Sequence, residues 1–411
     1  MFKRHIEDKL LEALEFMPVT LLRGARQTGK TTLAKALSVA KKYTYLSFDH
    51  LPALIAAKDD PVSFISRLEK PIILDEIQRV PELFLPIKVD VDENRVPGRY
   101  ILTGSADPLL IPHLGDSLAG RMRLLDLWPL SQGEIIGRKE TFLDSLFNRV
   151  PMPTGKLFAC SKDDVLSRVV KGGYPGPLLM KSEKQRQEWF NDYISLVLQK
   201  DILDLSKIEN VTHMPHLLML IASRAGGMLN TEELARTLKL SSVTLHRYID
   251  LLKTLFMVYL LPAWSSHLGK RLVKSPKIYV PDTALQLFAL NIDADRFAKD
   301  PYLSGGLVEC FVVLELLKQI SWGDRQIQMF YYRDYNQVEV DIVLEGPSGD
   351  LIAIEVKSGE NIIKDDFKGL KAFQELVGEK FVHGIVLYSG NMALPFGDKL
   401  TALPISALWS E

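Results

Sequence analysis

One nine-residue stretch near the amino terminus constrains the fold of this 411-residue chain more than any other feature. The sequence GARQTGKTT, residues 24–32, fits the pattern G-x-x-x-x-G-K-[ST] and lies between an apolar run, VTLLR, and a run that predicts a helix. Glycines in such a loop let backbone amides turn inward on phosphate groups at a helix amino terminus. The order strand, loop, helix therefore predicts a nucleotide site rather than an ordinary glycine-rich turn.

The side chains of this loop have predicted roles as well. Lys30 is expected to place its charge near the β- and γ-phosphates, and the Thr31 hydroxyl is expected to ligate Mg²⁺. ATP and Mg²⁺ are therefore the predicted cofactors. The predicted nucleotide-binding residues are Gly24, Ala25, Arg26, Gln27, Thr28, Gly29, Lys30, Thr31 and Thr32.

Two acids follow a third apolar run, PIILDEIQ, and predict hydrolysis rather than binding alone. Asp75 is expected to join Thr31 at the Mg²⁺ ion, and Glu76 to act as the general base for the attacking water. The alternative is a solvated acid pair at the end of a strand. In YILTGS, Thr103 or Ser105 could bring a hydroxyl to the γ-phosphate, although such residues also end strands through turn chemistry. Arg121 is the candidate arginine finger, acting in cis or on the γ-phosphate of a neighbouring subunit, with a surface ion pair as its alternative.

These motifs together resemble the AAA+ ATPase domain of a large bacterial and archaeal group whose C-terminal half is a domain of unknown function. The resemblance rests on the loop, LDEIQ, YILTGS and LAGR followed by LWPLS, and it extends over nearly the whole chain. It implies a five-stranded sheet in the order 5-1-4-3-2, with Thr103 or Ser105 as sensor and Arg121 as finger. Ala25 and Thr28 depart from the usual residues, but neither position supplies a side chain to the phosphates.

The rest of the chain predicts three further units. The expected fold class is α/β, a P-loop NTPase (AAA+) parallel sheet followed by a helical and winged-helix domain and a C-terminal α/β nuclease-like domain. The predicted boundaries are an ATPase domain at 1–135, a helical linker or lid at 136–210, a winged helix-turn-helix at 211–290 and a nuclease-like domain at 300–411. Asp192 and Asp201 in the linker are expected to be solvated or capping acids.

The winged-helix prediction comes from the stretch LNTEELARTLKLSSVTLHRYIDLLKTLFMVYLL. Thr231 is expected to cap its first helix, and Val243 is expected on the buried side of its second. One reading places Ser242, Thr244, His246 and Arg247 against a DNA groove, with phosphates held by Lys270, Arg271, Lys274 and Lys277 of a following hairpin, the wing. The other reading packs the module on the ATPase domain or a neighbouring subunit, because the fold serves both uses.

Near the end of the chain, QVEVDIVLEGPSGDLIAIEVKSG predicts a β-hairpin. Val338, Val340, Ile342 and Leu344 are expected on one face of its first strand, and the acids on the other. With Glu309 on a preceding helix, Asp341, Glu355 and Lys357 form a possible nuclease-like site that resembles the PD-(D/E)xK core, in which acids bind Mg²⁺. The alternative is a cross-strand lattice of ion pairs that only keeps the sheet soluble.

Charge, cysteine content and apolar runs bear on the partners and the location of the protein. A formal net charge of −1 neither indicates nor excludes a polyanionic partner. Cys160 and Cys310 are far apart and predict reduced core thiols. The absence of a signal peptide or a long apolar run predicts a cytoplasmic protein with no membrane partner.

Three functional hypotheses follow from these patterns. The first is an ATPase that forms a homo-oligomeric ring, such as a hexamer, and acts on DNA through its C-terminal domains. The second is a nucleotide-dependent switch that regulates a protein partner. The third is an ATP-gated, metal-dependent nuclease.

Overall fold

The structure, a computed structural model, describes residues 2–107, 118–152, 154–156, 160–202 and 211–410. The side chains of residues 156, 200, 211, 268, 270 and 301 lie outside this description. Within the described ranges, no helix is both long enough and apolar enough to cross a bilayer.

The amino-terminal domain is built on five strands: β1 (Val19–Arg23), β2 (Thr44–Ser47), β3 (Ile72–Asp75), β4 (Tyr100–Gly104) and β5 (Met122–Asp126). All pairings are parallel, and the order is β2-β3-β4-β1-β5, which is the order that the family resemblance implies. Alternate residues of β1 point to opposite faces, with Leu21 in one buried cluster and Leu22 in another. Both faces are covered, as is typical of parallel sheets.

Five helices surround this sheet: α1 (Ile6–Phe16), α2 (Lys30–Lys41), α3 (Leu51–Asp59), α4 (Pro61–Arg67) and α5 (Phe84–Glu93). Helix α2 starts immediately after Gly29, whose φ of 101° lies in the region that favours glycine. The first turn of α2 therefore meets the carboxyl ends of the parallel strands, where ligands bind in open α/β sheets.

The central part of the chain is mainly helical. Its elements are α6 (Gln132–Ile136), α7 (Phe142–Phe147), strand β6 (Gly155–Lys156), α8 (Lys162–Lys171), α9 (Pro175–Leu178), α10 (Glu183–Leu196), α11 (Met214–Ser223), α12 (Thr231–Leu238) and α13 (Ser242–Thr254). Capping boxes begin α6, α8 and α10 at Ser131, Ser161 and Ser182. Helix α10 continues into a π-helical turn, Val197–Asp201.

Helices α12 and α13 form the expected helix-turn-helix pair. Lys239 ends α12 in the left-handed region with φ 54°, at the turn position where glycine is usual. Two details of the prediction are wrong. Asn230 caps α12 in place of Thr231, and Val243 is 80% exposed instead of buried.

The predicted wing is a hairpin, but several of its basic side chains are bound to the C-terminal domain. Strands β7 (Tyr259–Leu261) and β8 (Lys277–Tyr279) pair antiparallel, with a short helix, α14 (Leu268–Val273), between them. Arg271 pairs with Glu345 at 2.6 Å, and the Lys274 ammonium donates to the backbone oxygen of Arg333 at 3.0 Å. The basic side chains of the hairpin that the structure describes therefore bind the C-terminal domain rather than facing a DNA groove. The side chain of Lys270 lies outside the described residues.

The C-terminal domain follows with α15 (Thr283–Ala289), α16 (Ala294–Lys299), α17 (Pro301–Trp322), β9 (Gln328–Arg333), β10 (Glu339–Glu345), β11 (Leu351–Lys357), α18 (Lys368–Val377), β12 (Phe381–Tyr388), β13 (Met392–Gly397) and β14 (Leu400–Pro404). Its sheet has the order β6-β13-β14-β12-β11-β10-β9. Helix α17 packs on one face, and α18 lies against β11 and β12. Strand β6 comes from the predicted linker, so that segment contributes to the C-terminal fold.

The prediction that Val340 lies on the same face of β10 as Ile342 and Leu344 is wrong. The pairing of β10 with β9 shifts register between Val340 and Val343. Because of this irregularity, Val340 packs beside Val343 in one buried cluster, whereas Ile342 and Leu344 belong to the cluster on the other face. Val338 precedes the strand.

Candidate nucleotide site and C-terminal acidic cluster

The predicted phosphate loop joins the carboxyl end of β1 to the amino end of α2. A Cβ atom on Gly24 would lie 2.2 Å from the backbone oxygen of Leu127, so no side chain fits there. Gln27 takes a left-handed conformation with φ 64°, as Gly29 does. A turn that contains such left-handed residues points its successive backbone amides toward one side and forms an anion-binding concavity.

Lys30 is buried inside this loop. Its ammonium donates hydrogen bonds to the backbone oxygens of Gly24 at 2.8 Å and Ala25 at 2.7 Å. Burial lowers the pKa of Lys30 to about 8, although the negative charges of Glu76 and Asp75 act in the opposite direction. A polyphosphate would supply the counter-charge that two neutral carbonyl oxygens lack.

The other polar side chains of the loop have distinct surroundings. Thr28 donates its hydroxyl to the Ala25 oxygen at 2.9 Å, and Thr32 is exposed on α2. Arg26 pairs with Asp201 of the π-helical turn. Asp201 is buried, which corrects the expectation that it is a solvated or capping acid.

Asp75 and Thr31 come together as the sequence predicts. The Thr31 hydroxyl lies 3.1 Å from an Asp75 carboxylate oxygen at the end of β3. Tyr45 donates to the same carboxylate at 2.7 Å, and Thr103 also donates to it. Carboxylate and hydroxyl oxygens suit Mg²⁺, which proteins usually hold through one or two such groups together with phosphates. The residues present therefore fit the predicted ion, and Tyr45 is a partner that the sequence gave no reason to select.

Glu76 follows Asp75 in the left-handed region, with φ 61° and ψ 47°. Non-glycine residues held in this way are costly and concentrate at functional sites. Ser105 donates to the Glu76 carboxylate at 2.8 Å, and the Gln78 amide donates to both side chains. Burial alone would raise the pKa of Glu76, but the Lys30 charge and these hydrogen bonds lower it below its ordinary value. Glu76 is therefore an ionised, oriented carboxylate.

Gln78 is a site residue that sequence reasoning missed. It lies two positions after Glu76 in the LDEIQ motif, and this proximity was the available signal.

Arg4 is a second missed residue: its guanidinium donates to the backbone oxygen of Thr28 at 2.5 Å and to Glu134 at 3.0 Å. Arg4 thereby joins the loop, 24 residues away in sequence, to Glu134, 130 residues away.

Arg121 lies at the other end of the sheet. Its backbone oxygen accepts a bond from Val19, the first residue of β1, whereas the loop follows the last residue of that strand. Five strand residues span roughly 16 Å, so Arg121 does not reach the phosphate loop of its own chain, and the prediction of a role in cis is wrong. Arg121 instead pairs with Asp92 through two hydrogen bonds. A role toward a neighbouring subunit stays a prediction.

The predicted acids of the C-terminal domain also lie near one another. Burial, followed by the charge of Asp341, raises the pKa of Glu309 to about 7. Burial and the same Asp341 charge raise the pKa of Glu355. Lys357 lies 3.5 Å from Glu355. The four residues of the nuclease-like prediction therefore share one region of α17, β10 and β11.

A lysine from the hairpin occupies this acidic region. The ammonium of Lys277 lies 3.0 Å from Glu309, 2.8 Å from Glu339 and 3.8 Å from Asp341, and its side chain is only 4% exposed. These acids raise the pKa of Lys277 against the opposing effect of burial. Across the described residues, no three His, Cys, Asp or Glu side chains converge as ligands for a metal ion. The prediction that Lys277 holds DNA phosphate is therefore wrong, because this ammonium balances the acids.

The predicted contact of α13 with DNA stays a prediction. Ser242, His246 and Arg247 are exposed, and Thr244 is partly buried. His246 is oriented by a contact of 2.8 Å between its Nδ1 atom and the backbone oxygen of Ser242. Any DNA contact of this module would therefore come from α13 without the described basic residues of the hairpin.

Comparison with protein families finds three matches along the chain. Residues 17–136 match the AAA domain. Residues 162–296 and 304–408 match two domains of unknown function, DUF8612 and DUF4143. The amino-terminal third is thus an AAA-type nucleotide-binding domain.

Whole-chain relatives define the family. An uncharacterized protein of Mycobacterium tuberculosis is 30% identical over 406 residues, which are 98% of this chain and 83% of that protein. The chain belongs to the family of this mycobacterial protein. An archaeal relative from Methanocaldococcus jannaschii, also uncharacterized, is 22% identical over 428 residues, with 100% of this chain and 90% of that protein covered.

Solved structures also resemble this chain, at lower sequence identity. The Walker-type ATPase of Pyrococcus abyssi has a TM-score of 0.42 at 15% identity, with 70% of this chain and 96% of that chain covered. The RuvB Holliday junction branch migration motor of Thermotoga maritima has a TM-score of 0.30 at 20% identity, with coverages of 64% and 90%.

Proposed function

We propose that this chain is a Mg²⁺-dependent ATPase whose nucleotide state controls its C-terminal domains. The observation that supports the proposal most directly is the geometry at the carboxyl edge of the parallel sheet. Lys30, Thr31, Asp75 and Glu76 lie there: loop carbonyl oxygens hold the Lys30 ammonium, Thr31 contacts Asp75, and Ser105 donates to Glu76. A structural turn would not need an ionised carboxylate beside a buried ammonium.

The residues divide the work of hydrolysis. The loop amides and Lys30 bind and orient the β- and γ-phosphates. Thr31 and Asp75 would hold Mg²⁺, which neutralises phosphate charge when it is bound. Glu76 orients the attacking water and accepts its proton, while Ser105 and Gln78 fix the direction of the carboxylate.

A short path connects this site to the helix-turn-helix. The backbone amide of Asp107, two residues after Ser105, donates to the backbone oxygen of Thr254 at the end of α13. Arg23 pairs with Asp107 and Asp126, and so joins this loop to β1 and β5. We infer that the loop transmits the presence of γ-phosphate to α13, and that the exposed face of α13 binds DNA.

The acidic cluster supports coupling between domains better than cutting of DNA. Lys277 pairs with Glu309 and Glu339, and Lys357 lies beside Glu355. We therefore expect no cleavage of plasmid or branched DNA with Mg²⁺ or Mn²⁺. Cleavage by the wild-type protein that disappears in Lys357→Ala would instead establish the nuclease function.

The ATPase assignment is tested by two substitutions with matched controls. Lys30→Ala should abolish ATP binding and turnover, whereas Lys41→Ala, at the exposed end of the same helix, should do neither. Glu76→Gln should retain binding but lose turnover by about 10²-fold or more, and the exposed Glu82→Gln should match wild type. Steady-state phosphate release and nucleotide titrations measure both quantities. Unchanged hydrolysis in Lys30→Ala or Glu76→Gln would refute the assignment.

A further inference from the structure

The phosphate loop carries a second cation besides Lys30, the guanidinium of Arg26. Arg26 is the third residue of the loop, and its side chain is 42% exposed. Its Nε donates to Asp201 at 2.5 Å, which uses one of the five N–H donors of the guanidinium. The remaining donors allow Arg26 to bind a phosphate oxygen.

The charge of Arg26 acts on the catalytic groups. It helps to lower the pKa of Glu76, and it contributes to the lowered pKa of Lys30. Arg26 lies four positions before Lys30 in the same loop, so its partly exposed guanidinium extends from the turn that would surround the phosphates.

The other arginines near this edge are committed elsewhere. Arg23 pairs with Asp107 and Asp126 at the end of β1. Arg4 lies beneath the loop on Glu134 and the Thr28 oxygen, and Arg121 lies at the far end of the sheet. Arg26 differs from these three arginines. It belongs to the phosphate loop, and the ion pair that the structure describes for it is with one carboxylate, Asp201, outside the ATPase domain.

Given the proposed ATPase function, we propose that Arg26 is a catalytic residue that binds the γ-phosphate in cis, and that Asp201 holds it when that phosphate is absent. ATP offers Arg26 a charged, multidentate acceptor that ADP lacks. Binding of ATP then separates Arg26 from Asp201 and changes the contacts of the π-helical turn after α10. Hydrolysis restores the pair, so Arg26 serves both as a catalytic cation and as the reporter of nucleotide state.

The packing around Arg26 provides the route to the middle domain. Tyr193 of α10 donates its hydroxyl to the backbone oxygen of Arg26 at 3.4 Å and contacts the Tyr174 hydroxyl at 3.0 Å. Trp189, one turn earlier, stacks on Tyr193 with ring centroids 5.0 Å apart. The Arg26 backbone therefore contacts a packed aromatic cluster, so a movement of Arg26 would change the packing of the middle domain.

The experiment compares affinities for adenylyl imidodiphosphate and ADP, both with Mg²⁺, in the full-length protein. Arg26→Ala should lose about tenfold to hundredfold in affinity for the ATP analogue, keep its ADP affinity within about twofold, and lose turnover by about 10³-fold. The exposed Arg67→Ala is the matched control and should change neither affinity. Asp201→Asn should raise the preference for the ATP analogue over ADP several-fold, because it removes the competing carboxylate.

The outcomes separate this inference from the ATPase proposal. An unchanged preference for the ATP analogue in Arg26→Ala, or an equal loss of both affinities, would overturn the role of Arg26. Asp201→Asn tests the pair independently if Arg26→Ala does not fold, and an unchanged or lower preference there would also overturn it. Absence of nucleotide binding in the wild-type protein would instead refute the ATPase proposal itself.

Discussion

At the scale of single residues, the position of Gln78 explains how a strained glutamate can work as a base. Glu76 sits at φ 61°, and its carboxylate would rotate without a second contact. Ser105 and Gln78 bind it and each other, so the three side chains form a closed triangle. Such supporting contacts commonly matter for rate more than for substrate affinity.

Gln78→Ala should therefore lower kcat by about tenfold or more while KM for ATP changes little. The control is Gln187→Ala on the exposed side of α10. A KM increase with an unchanged kcat would show that Gln78 serves binding, and would contradict its assignment as a positioning residue.

Lys30 makes nucleotide affinity depend on pH. Because burial lowers the pKa of Lys30 to about 8, the free protein loses this charge as the pH rises above 8. Phosphate binding needs the ammonium, so affinity for the ATP analogue should fall toward tenfold per pH unit above pH 8, with proton uptake on binding. Titration calorimetry in buffers of different ionisation enthalpy measures this uptake. The Lys30→Arg variant stays charged, so its affinity should show no such decline; the same slope in both proteins would exclude Lys30 as the titrating group.

At the scale of elements, α13 presents an exposed face that is available to a partner. Its exposed residues His246 and Arg247 point away from the buried side defined by Leu245 and Tyr248. Each phosphate contact contributes both affinity and salt dependence.

The His246→Ala, Arg247→Ala double variant should weaken duplex DNA binding about tenfold or more and reduce the salt slope by about one. Arg236→Ala, on the preceding helix, is the control for a general loss of positive charge. Fluorescence anisotropy across a salt series gives both quantities. Equal affinities of wild type and double variant would favour a protein partner for α13.

The sequence predicted those elements whose determinants are local. The strand, loop and helix around Gly24 and Lys30 follow from apolar runs and a glycine pattern, and the parallel strand order followed from the resemblance. The facing of Val340 could not be predicted, because the irregularity in β10 depends on its pairing with β9. The burial of Lys277 could not be predicted either. A lysine in a basic hairpin is ordinarily expected to face solvent, and the acids that surround it belong to a different domain.

At the scale of the whole molecule, the long helix α17 connects the ATPase domain to the C-terminal sheet. Glu315 accepts a bond from the backbone amide of Gln132, and Lys318 donates to the backbone oxygen of Leu130 at 3.0 Å. Trp322 at the end of α17 makes an edge contact with His5 beside α1. One rigid element thus touches the ATPase domain along its second half and carries Glu309 in its first half. Movement of the ATPase domain would therefore shift α17 and change the position of Glu309 in the acidic cluster.

Lys277 joins the hairpin to Glu309, Glu339 and Asp341 of this cluster, and its removal provides the last prediction. Lys277→Met leaves Glu309, Glu339 and Asp341 without their shared cation, so the free energy of unfolding should fall by about 3–5 kcal/mol. Lys274→Met, in the same hairpin, removes a single bond to the Arg333 oxygen and should cost much less. Adding Glu309→Gln to Lys277→Met should recover part of the loss, because one buried charge disappears with its repulsion. Urea denaturation followed by tryptophan fluorescence measures all four proteins, and equal losses for Lys277→Met and Lys274→Met would show that the buried ammonium does not hold the domains together.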